Sequence, residues 1–387
     1  MSLHPVVGHK DLLSSIARAH ARESLPSSLL LHGPRGVGKQ RVALWIAQLT
    51  ICQQPLAQGP CGECGACRMA VRLEHPDIHW YFPLERPKRV SGDRLVSALE
   101  DARMQALADL RARPLYPSHT GDLKGLYFGI TQNIRRRAYL RPTMAAGQVF
   151  IIGNAELLVP QEASPEAANA LLKLLEEPPG TSRFILTSSE PGRLLPTILS
   201  RTVALHFAPL PTDLIATFLN EHTDADREIT EWACELSQGS IGRAVGFLPD
   251  DHGEGPLESL RGQALALIEA SVVPDPGGGY ELSLSYPAAG ARKLIPLCAF
   301  IEEWLRDLGA VVSGAGDRVF NSDQHSHLQE LVAKTTISGP DIVLALTEVE
   351  RARELARGNV NPQLIVNGLV RNLRRRLVAT EYSPGVL

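Results

Sequence analysis

A short glycine-rich segment that ends in lysine is the part of this sequence best suited to phosphate chemistry. After an apolar stretch, the pattern G-x-x-x-x-G-K is formed by residues that include Gly33, Gly36, Gly38 and Lys39. In such a loop, backbone N–H groups point at phosphates and the lysine reaches the outer ones. The next residue is ordinarily Ser or Thr, whose hydroxyl holds Mg²⁺, but here it is Gln40. The sequence therefore predicts a phosphate-binding loop without its usual metal ligand.

What this loop holds is left open by its residues. Lys39 and the loop amides could bind ATP or ADP weakly without well-placed Mg²⁺, whereas Arg35 and Gln40 could instead leave a turn that binds no nucleotide. Hydrolysis is the least favoured of the three outcomes, because phosphoryl transfer depends on Mg²⁺ to neutralise the charge of the phosphates.

Four closely spaced cysteines form the second group of residues that could do chemistry. They follow the spacing C-x₈-C-x₂-C-x₂-C, at Cys52, Cys61, Cys64 and Cys67. Four thiolates satisfy tetrahedral Zn²⁺, and such a site has no open position, so it would be structural. The alternative is four reduced, buried cysteines. Cys234 and Cys298 stand alone and are most simply buried small apolar residues.

The length and composition of the chain exclude several classes of protein. With 387 residues the chain is long enough for two or three domains. A formal charge of −3 argues against a globally basic nucleic-acid-binding protein, although not against a local basic patch. No stretch approaches the roughly 20 apolar residues that span a membrane, and no secretory leader is evident. We therefore expect a protein that does not bind a membrane and that is located in the cytoplasm.

Alternating strand and helix patterns predict an α/β domain over residues 1–208. Apolar strands are predicted at residues 29–32, 149–152, 184–187 and 203–207. Because helical patterns separate them, we expect a parallel sheet covered on both faces. Beyond residue 209 the pattern is helical, which predicts a small helical lid domain at 209–250. After a Gly/Pro-rich linker, a helical C-terminal domain follows at 257–387.

Residues 84–141 are unusually basic. They contain 12 Lys/Arg and 6 Asp/Glu, a net charge of +6, with a predicted amphipathic helix at 95–113 and three consecutive arginines at 135–137. A solvated helical insertion is the simpler interpretation. A contact with nucleic acid or with an acidic partner is the alternative.

Several further motifs are more specific than composition. Residues 168–179 have the sequence Ala-Asn-Ala-Leu-Leu-Lys-Leu-Leu-Glu-Glu-Pro-Pro, and residues 195–202 end in Ser-Arg-Thr. Residues 239–243 have the sequence Gly-Ser-Ile-Gly-Arg, and residues 359–362 have the sequence Asn-Val-Asn-Pro. Together with the phosphate loop and the cysteines, these motifs resemble bacterial clamp-loader subunits of the AAA+ superfamily. The resemblance runs from about residue 6 to 377, with insertions at 84–128 and 274–292.

The resemblance implies an AAA+ P-loop domain with an inserted zinc knuckle at 52–67, a helical lid and a C-terminal oligomerisation domain of the collar type. In the motor subunits of that family, Asp-Glu would follow the strand that ends at Ile152. Here Gly153 and Asn154 follow it. With Gln40, these residues remove every obvious side chain for Mg²⁺. The chain is thus similar to the non-hydrolysing type of subunit.

The resemblance also implies roles for two arginines. Arg201 lies in the segment similar to Ser-Arg-Cys, so it would be an arginine finger that completes the nucleotide site of an adjacent subunit; a planar, permanently charged guanidinium suits developing phosphoryl charge. The alternative is a surface arginine. Arg243 would contact nucleotide in its own degenerate site, or form a structural ion pair.

The partners implied are the other clamp-loader subunits (gamma/tau and delta), the sliding clamp and primed DNA. Two other functions remain open from the residues alone. One is an active ATPase motor subunit, against which Gln40, Gly153 and Asn154 argue. The other is a zinc-containing DNA-binding module on a degenerate NTPase fold, which the basic segment favours.

Overall fold

The computed structural model describes residues 3–87, 90–115, 124–158, 166–250, 253–272, 277–333, 335, 337–358 and 360–378. Within these residues the chain forms two compact units. The first lies within Met1–Pro117, Leu123–Thr230 and Ser237–Val245, and the second lies mainly within Gly246–Leu387, with Glu231–Leu236. No helix in the described ranges combines the length and the hydropathy needed to cross a membrane. The predicted three-domain division stays a prediction.

A parallel five-stranded sheet is the centre of the first unit. In chain order its strands are β1 (Ser28–His32), β2 (Ile78–Tyr81), β5 (Val149–Ile152), β6 (Arg183–Ser188) and β7 (Val203–His206). They lie in the order β2-β5-β6-β1-β7 across the sheet. The α/β prediction is confirmed, and so are its four strands. The sequence interpretation missed β2, whose segment Ile-His-Trp-Tyr carries no apolar run.

Both faces of the central strands are buried because their apolar residues form continuous runs rather than an alternating pattern. Leu29 and Leu31 point into one hydrophobic core together with Ile151. Leu30 lies in a second core with Phe150. The strand β1 is therefore packed on both faces by the two cores. This buried strand fixes the position of the phosphate loop, which begins at its carboxyl end.

Helices cover the two faces of this sheet. In the first unit the structure contains α1 (Lys10–Ala21), α2 (Lys39–Ile51), α3 (Gly65–Val71), α4 (Asp93–Ala112), α5 (Phe128–Ala138), α6 (Glu166–Glu176), α7 (Pro196–Leu199) and α8 (Thr212–His222). The predicted amphipathic helix at 95–113 corresponds to α4, and α2 and α6 are among the helices that separate the predicted strands. The side chains of residues 166–170 in α6 lie outside the described part.

The basic insertion has a small sheet of its own. Strands β3 (Leu84–Glu85) and β4 (Lys124–Gly125) pair antiparallel, and α4 lies between them in the chain. Residues 88–89 and 116–123 of the predicted insertion lie outside the described residues. The helices α4 and α5 pack on the sheet face formed by residues such as Tyr81 and Phe150.

The strand β7 is an edge of the main sheet. Its first residue, Val203, is 47% exposed, and no strand in the described part of the chain pairs with its outer side. Leu199, which ends α7 just before it, is also exposed. Arg201 lies between these two residues, so it belongs to an open border of the sheet.

The remaining elements are helical, as predicted. They are α9 (Arg227–Leu236), α10 (Ile241–Phe247), α11 (Pro256–Val272), α12 (Gly278–Leu284), α13 (Leu294–Val312), α14 (His325–Ala333), α15 (Gly339–Arg357) and α16 (Pro362–Leu377).

In the second unit, buried Arg261 donates to Asn321 Oδ1 at 2.7 Å and to Asp323 at 2.5 Å. Cys234 and Cys298 are buried, as predicted. Residues 251–252 of the predicted linker and 274–276 of the predicted insertion lie outside the described part. Asn359, the first residue of the 359–362 motif, also lies outside it.

Candidate functional site

The phosphate loop joins the end of β1 to the start of α2. Gly33, Gly36 and Gly38 all have positive φ, at 145°, 78° and 98°, which glycine adopts without steric cost. Gly38 directly precedes the first residue of α2. The predicted glycines therefore make a loop that wraps around the N-terminus of a helix, where the macrodipole favours anions.

Lys39 turns back into this loop. Its Nζ donates to the carbonyl oxygens of Gly33 at 2.8 Å and Pro34 at 2.6 Å, and to Oγ of Ser189 at 3.0 Å. The residue is only 5% exposed. Burial lowers the pKa of Lys39 to about 8; the nearby Glu156 carboxylate opposes this shift and Arg35 adds to it. The ammonium group is thus already bound by the protein itself.

Gln40 stands where the metal-binding hydroxyl would be. Its Nε2 donates to Oδ1 of Asn154 at 3.3 Å. The backbone N–H of Asn154 in turn donates to Oγ1 of Thr187 at 3.1 Å. A Cβ built on Gly153 would lie 2.9 Å from Gln40 Nε2. The structure therefore brings all three predicted replacements together, and the neutral amides of Gln40 and Asn154 bind each other.

Glu156 is a residue of this site that the sequence interpretation missed. It lies in the short 3₁₀ helix Ala155–Leu158 after β5 and is buried. Its Oε1 accepts the N–H of Ser189 at 3.2 Å, while Oε2 has no hydrogen-bond partner among the described residues. The available signal was an acid two positions beyond Asn154. Of the two consecutive serines at the end of β6, Ser188 and Ser189, the second contacts Lys39.

The segment 239–243 packs directly on the phosphate loop. The N–H of Gly242 donates to the carbonyl oxygen of Gly36 at 3.0 Å. A Cβ on Gly36 would lie 2.2 Å from Oγ of Ser240, so only glycine fits there. Ser240 Oγ also accepts the N–H of Arg243 at 3.0 Å. The motif at residues 239–243 therefore lies against the loop, and the role of the Arg243 side chain stays a prediction.

Arg201 contacts the C-terminal end of α6, the helix that contains most of the 168–179 motif, rather than the phosphate loop. Its Nη2 donates to the carboxylate of Glu176, and its Nη1 donates to the Thr197 carbonyl oxygen at 2.9 Å and to Ser200 Oγ at 3.2 Å. The side chain is 29% exposed. These contacts hold a guanidinium at the border of the sheet, and its action on a neighbouring subunit stays a prediction.

The four clustered cysteines converge, although Cys52 follows α2, Cys61 and Cys64 lie in the loop before α3, and Cys67 lies in α3. Their sulfur atoms all lie within 4.8 Å of one another. Cys52 Sγ is 3.5 Å from Cys61 Sγ, which is 3.9 Å from Cys67 Sγ. Thiolates about 2.3 Å from a tetrahedral Zn²⁺ are about 3.8 Å apart. The sulfur arrangement therefore fits a zinc ion.

Backbone N–H groups point at these sulfurs, as suits thiolates. The N–H groups of Cys61, Cys64 and Cys67 each donate to a preceding cysteine sulfur at 3.4 Å. Burial opposes ionisation of Cys64, but the N–H groups of Cys67 and Gln53 outweigh it and lower the pKa of Cys64 to about 6. Burial raises the pKa of Cys52 and Cys67. Cys67, which is fully buried, ties the cluster to the core.

Curated proteins similar to this chain are replication proteins. It is 38% identical over 183 residues to DNA polymerase III subunit delta′ of Pseudomonas aeruginosa, covering 47% of this chain but only 43% of that protein. It is 26% identical over 362 residues to subunit delta′ of Escherichia coli, covering 93% of this chain and 91% of that one. It is also 25% identical over 232 residues to subunit tau of Bacillus subtilis, covering 60% of this chain and 33% of that one.

A solved structure with weaker similarity is the gamma subunit-related protein of Thermotoga maritima. It shares 16% identity over 94% of this chain and 99% of that one, with a TM-score of 0.36, which supports no conclusion. A family profile described as DNA polymerase III, delta subunit matches residues 8–211, more than half of the chain. The chain therefore belongs to the DNA polymerase III delta-subunit family, with the delta′ proteins that it resembles.

Proposed function

We propose that the chain is the non-hydrolysing delta-prime subunit of a DNA polymerase III clamp loader. The observation that carries this proposal is the contact between Gln40 and Asn154, beside Gly153. Phosphoryl transfer in P-loop proteins depends on Mg²⁺ held by a hydroxyl and an acid. Here Gln40 replaces the hydroxyl, and Gly153 and Asn154 replace the two acids, so a P-loop fold is kept without the groups that position the metal.

Lys39 supports the same conclusion. Two loop carbonyl oxygens and Ser189 already bind its ammonium group, and buried Glu156 offsets its charge. A nucleotide would have to displace these contacts. The packing of residues 240–242 on Gly36 further closes the loop. The loop thus serves as a structural turn, with at most weak binding of ATP or ADP.

Arg201 gives the subunit an active part in the assembly. It lies at the open edge of the sheet, and its own chain lacks the means to use an arginine finger. A guanidinium offered to the nucleotide site of a gamma/tau neighbour would stabilise phosphoryl charge there. With delta and gamma/tau, the subunit would close one end of an arc that opens the sliding clamp onto primed DNA in the cytoplasm.

ATPase measurements on the isolated chain and on a reconstituted complex test this function. The purified chain should show no Mg²⁺-dependent turnover above that of Lys39→Ala. In a complex with gamma/tau and delta subunits, Arg201→Ala should leave assembly intact and slow both ATP turnover and clamp loading. An arginine finger accelerates hydrolysis at one site by about 10³–10⁵-fold. Because several sites contribute to the total ATP turnover of the complex, a partial loss is expected.

Three results would contradict the proposal. Turnover by the isolated chain that Lys39→Ala abolishes would favour the motor-subunit alternative. Unchanged ATPase and clamp loading in the Arg201→Ala complex would reduce Arg201 to a surface arginine. Failure of the wild-type chain to assemble with gamma/tau and delta would remove the clamp-loader function itself.

A further inference from the structure

A turn after α5 exposes three large apolar side chains close together. Tyr139, Leu140 and Met144 are 65%, 59% and 62% exposed, within six residues of one chain segment. Single exposed apolar residues are common on protein surfaces, whereas a contiguous group indicates an interaction site. Exposed arginines flank the group. We call the resulting set the 135–144 surface: Arg135, Arg136, Tyr139, Leu140, Arg141 and Met144.

A buried carboxylate holds this turn rigidly. Asp77, which is fully buried, accepts the N–H groups of Thr143 at 2.6 Å, Met144 at 2.7 Å and Ala145 at 2.8 Å. On the far side of the turn, Thr181 Oγ1 donates to the carbonyl oxygen of Ala146 at 2.5 Å. The exposed side chains therefore project from a backbone that is fixed before any partner arrives, which lowers the entropy cost of binding.

The charged residues in the chain segment that carries this surface are all basic. From Lys124 through Ala155 the sequence contains five Lys/Arg residues and no Asp or Glu. Arg137 is paired with Glu100 of α4 at 3.1 Å, whereas Arg135, Arg136 and Arg141 are exposed. The surface thus has an apolar centre bordered by positive charge, which is complementary to an apolar patch bordered by carboxylates.

We propose that the 135–144 surface docks a protein partner that offers an apolar pocket bordered by acidic residues. Tyr, Met and Arg are enriched at protein interfaces, where buried aromatic and arginine anchors carry much of the binding energy. A nucleic-acid surface would use the arginines and the ring of Tyr139, but phosphates and bases offer little to Leu140 and Met144. The apolar members of the surface therefore favour protein over nucleic acid.

The choice of probes rests on the proposed function. The probes are the sliding clamp and the gamma/tau and delta subunits, each titrated separately, with primed DNA as the nucleic-acid probe. One double variant, Leu140→Ser with Met144→Ser, removes the apolar centre of the surface. A second double variant, Arg136→Glu with Arg141→Glu, reverses the charge at its border. Leu56→Ser is a matched control, because Leu56 is 60% exposed on the cysteine-cluster loop of the same unit. Thermal unfolding checks that each variant is folded.

We expect the apolar variant to weaken binding to one of the protein probes by about tenfold or more, since loss of a buried anchor typically has this effect. The charge-reversal variant should weaken the same interaction, most strongly at low salt. Leu56→Ser should leave it unchanged. Normal protein binding by both variants, or weaker binding to primed DNA alone, overturns the proposal. If the wild-type chain binds none of the protein probes, the proposed function fails together with this proposal. If the wild-type chain binds and both variants bind equally well, only this proposal fails.

Discussion

The guanidinium of Arg201 is held by the carboxylate of Glu176, the last residue of α6. The contact joins the C-terminus of α6 to the segment that precedes the edge strand β7. The side chains are 29% and 44% exposed, so solvent screens the pair and its contribution to stability is small. Its greater importance is for orientation, because it fixes the direction of a side chain that we propose acts across a subunit boundary.

Glu176→Ala should therefore lower the ATP turnover of the reconstituted complex without removing Arg201. The expected loss is up to about fivefold in kcat, with little change in KM, because an exposed ion pair contributes at most about 1 kcal/mol. Steady-state kinetics on the complex measure it. Glu177→Ala, at the next exposed residue, is the control. Adding Glu176→Ala to Arg201→Ala should cause no further loss; a fully additive effect would show that Glu176 acts independently of Arg201.

Restoring one metal-binding group should not restore hydrolysis. Gln40→Thr returns the hydroxyl but leaves Gly153 and Asn154 without an acid. Asn154→Glu returns one acid but keeps the amide of Gln40 beside it. Each single variant should stay at the Lys39→Ala background in an Mg²⁺-dependent ATPase assay. Clear turnover by either one would mean that Glu156, the buried acid nearby, already supplies the missing charge.

One equivalent of Zn²⁺ should copurify with the chain when no metal is added. Cys64→Ser should lower the zinc content and loosen residues 52–71, because a structural site contributes folding free energy. Elemental analysis and hydrogen exchange measure the two effects. Cys234→Ser, at a buried cysteine outside the cluster, should keep the zinc. Iron in place of zinc, or a metal-free chain with the same stability, would exclude the zinc site.

Asp77→Asn should destabilise the chain in a pH-dependent way. Burial alone would raise the pKa of Asp77, but the N–H groups of Thr143, Ala145 and Met144 outweigh it and lower the pKa. Since the folded pKa lies below the unfolded value of about 3.9, the stabilisation is complete above about pH 5 and is lost as the pH falls from 3.9 through the lower folded pKa. At pH 7 the variant should lose about 1–3 kcal/mol of unfolding free energy.

Urea unfolding at pH 7 and at acidic pH measures this effect. The difference between wild type and Asp77→Asn should shrink as the pH falls, because protonation removes the same charge from the wild-type chain. Asp101→Asn, at an exposed position of α4, should change stability little at either pH. A constant difference across the pH range would mean that the N–H groups of the turn do not depend on a carboxylate.

The local parts of the fold and site could be predicted because adjacent residues encode them. The apolar run before Gly33, the glycine spacing and the cysteine spacing each determine a structure over a few residues. The strand β2 was missed because His79 interrupts its apolar residues; its place in the sheet depends on pairing with β5, about 70 residues further along.

The parts of the fold and site that could not be predicted depend on contacts between residues that are far apart in the chain. Gln40 and Asn154 are 114 residues apart, and Asp77 is 66 residues from Thr143. Each residue type taken alone suggested only that a metal ligand was missing or that a carboxylate was present. The sheet brings these groups together, so their partners follow from the strand order β2-β5-β6-β1-β7 rather than from any local pattern.

The open border at β7 has a practical consequence for work with the isolated chain. An edge strand presents unpaired N–H and C=O groups that can template pairing with a second chain, and native proteins usually protect such edges. Here Leu199 and Val203 are both exposed at that edge, with Arg201 the nearest charge between them. We expect the chain to self-associate along this edge when it is concentrated without a neighbouring subunit, and coexpression with that neighbour to keep it monodisperse.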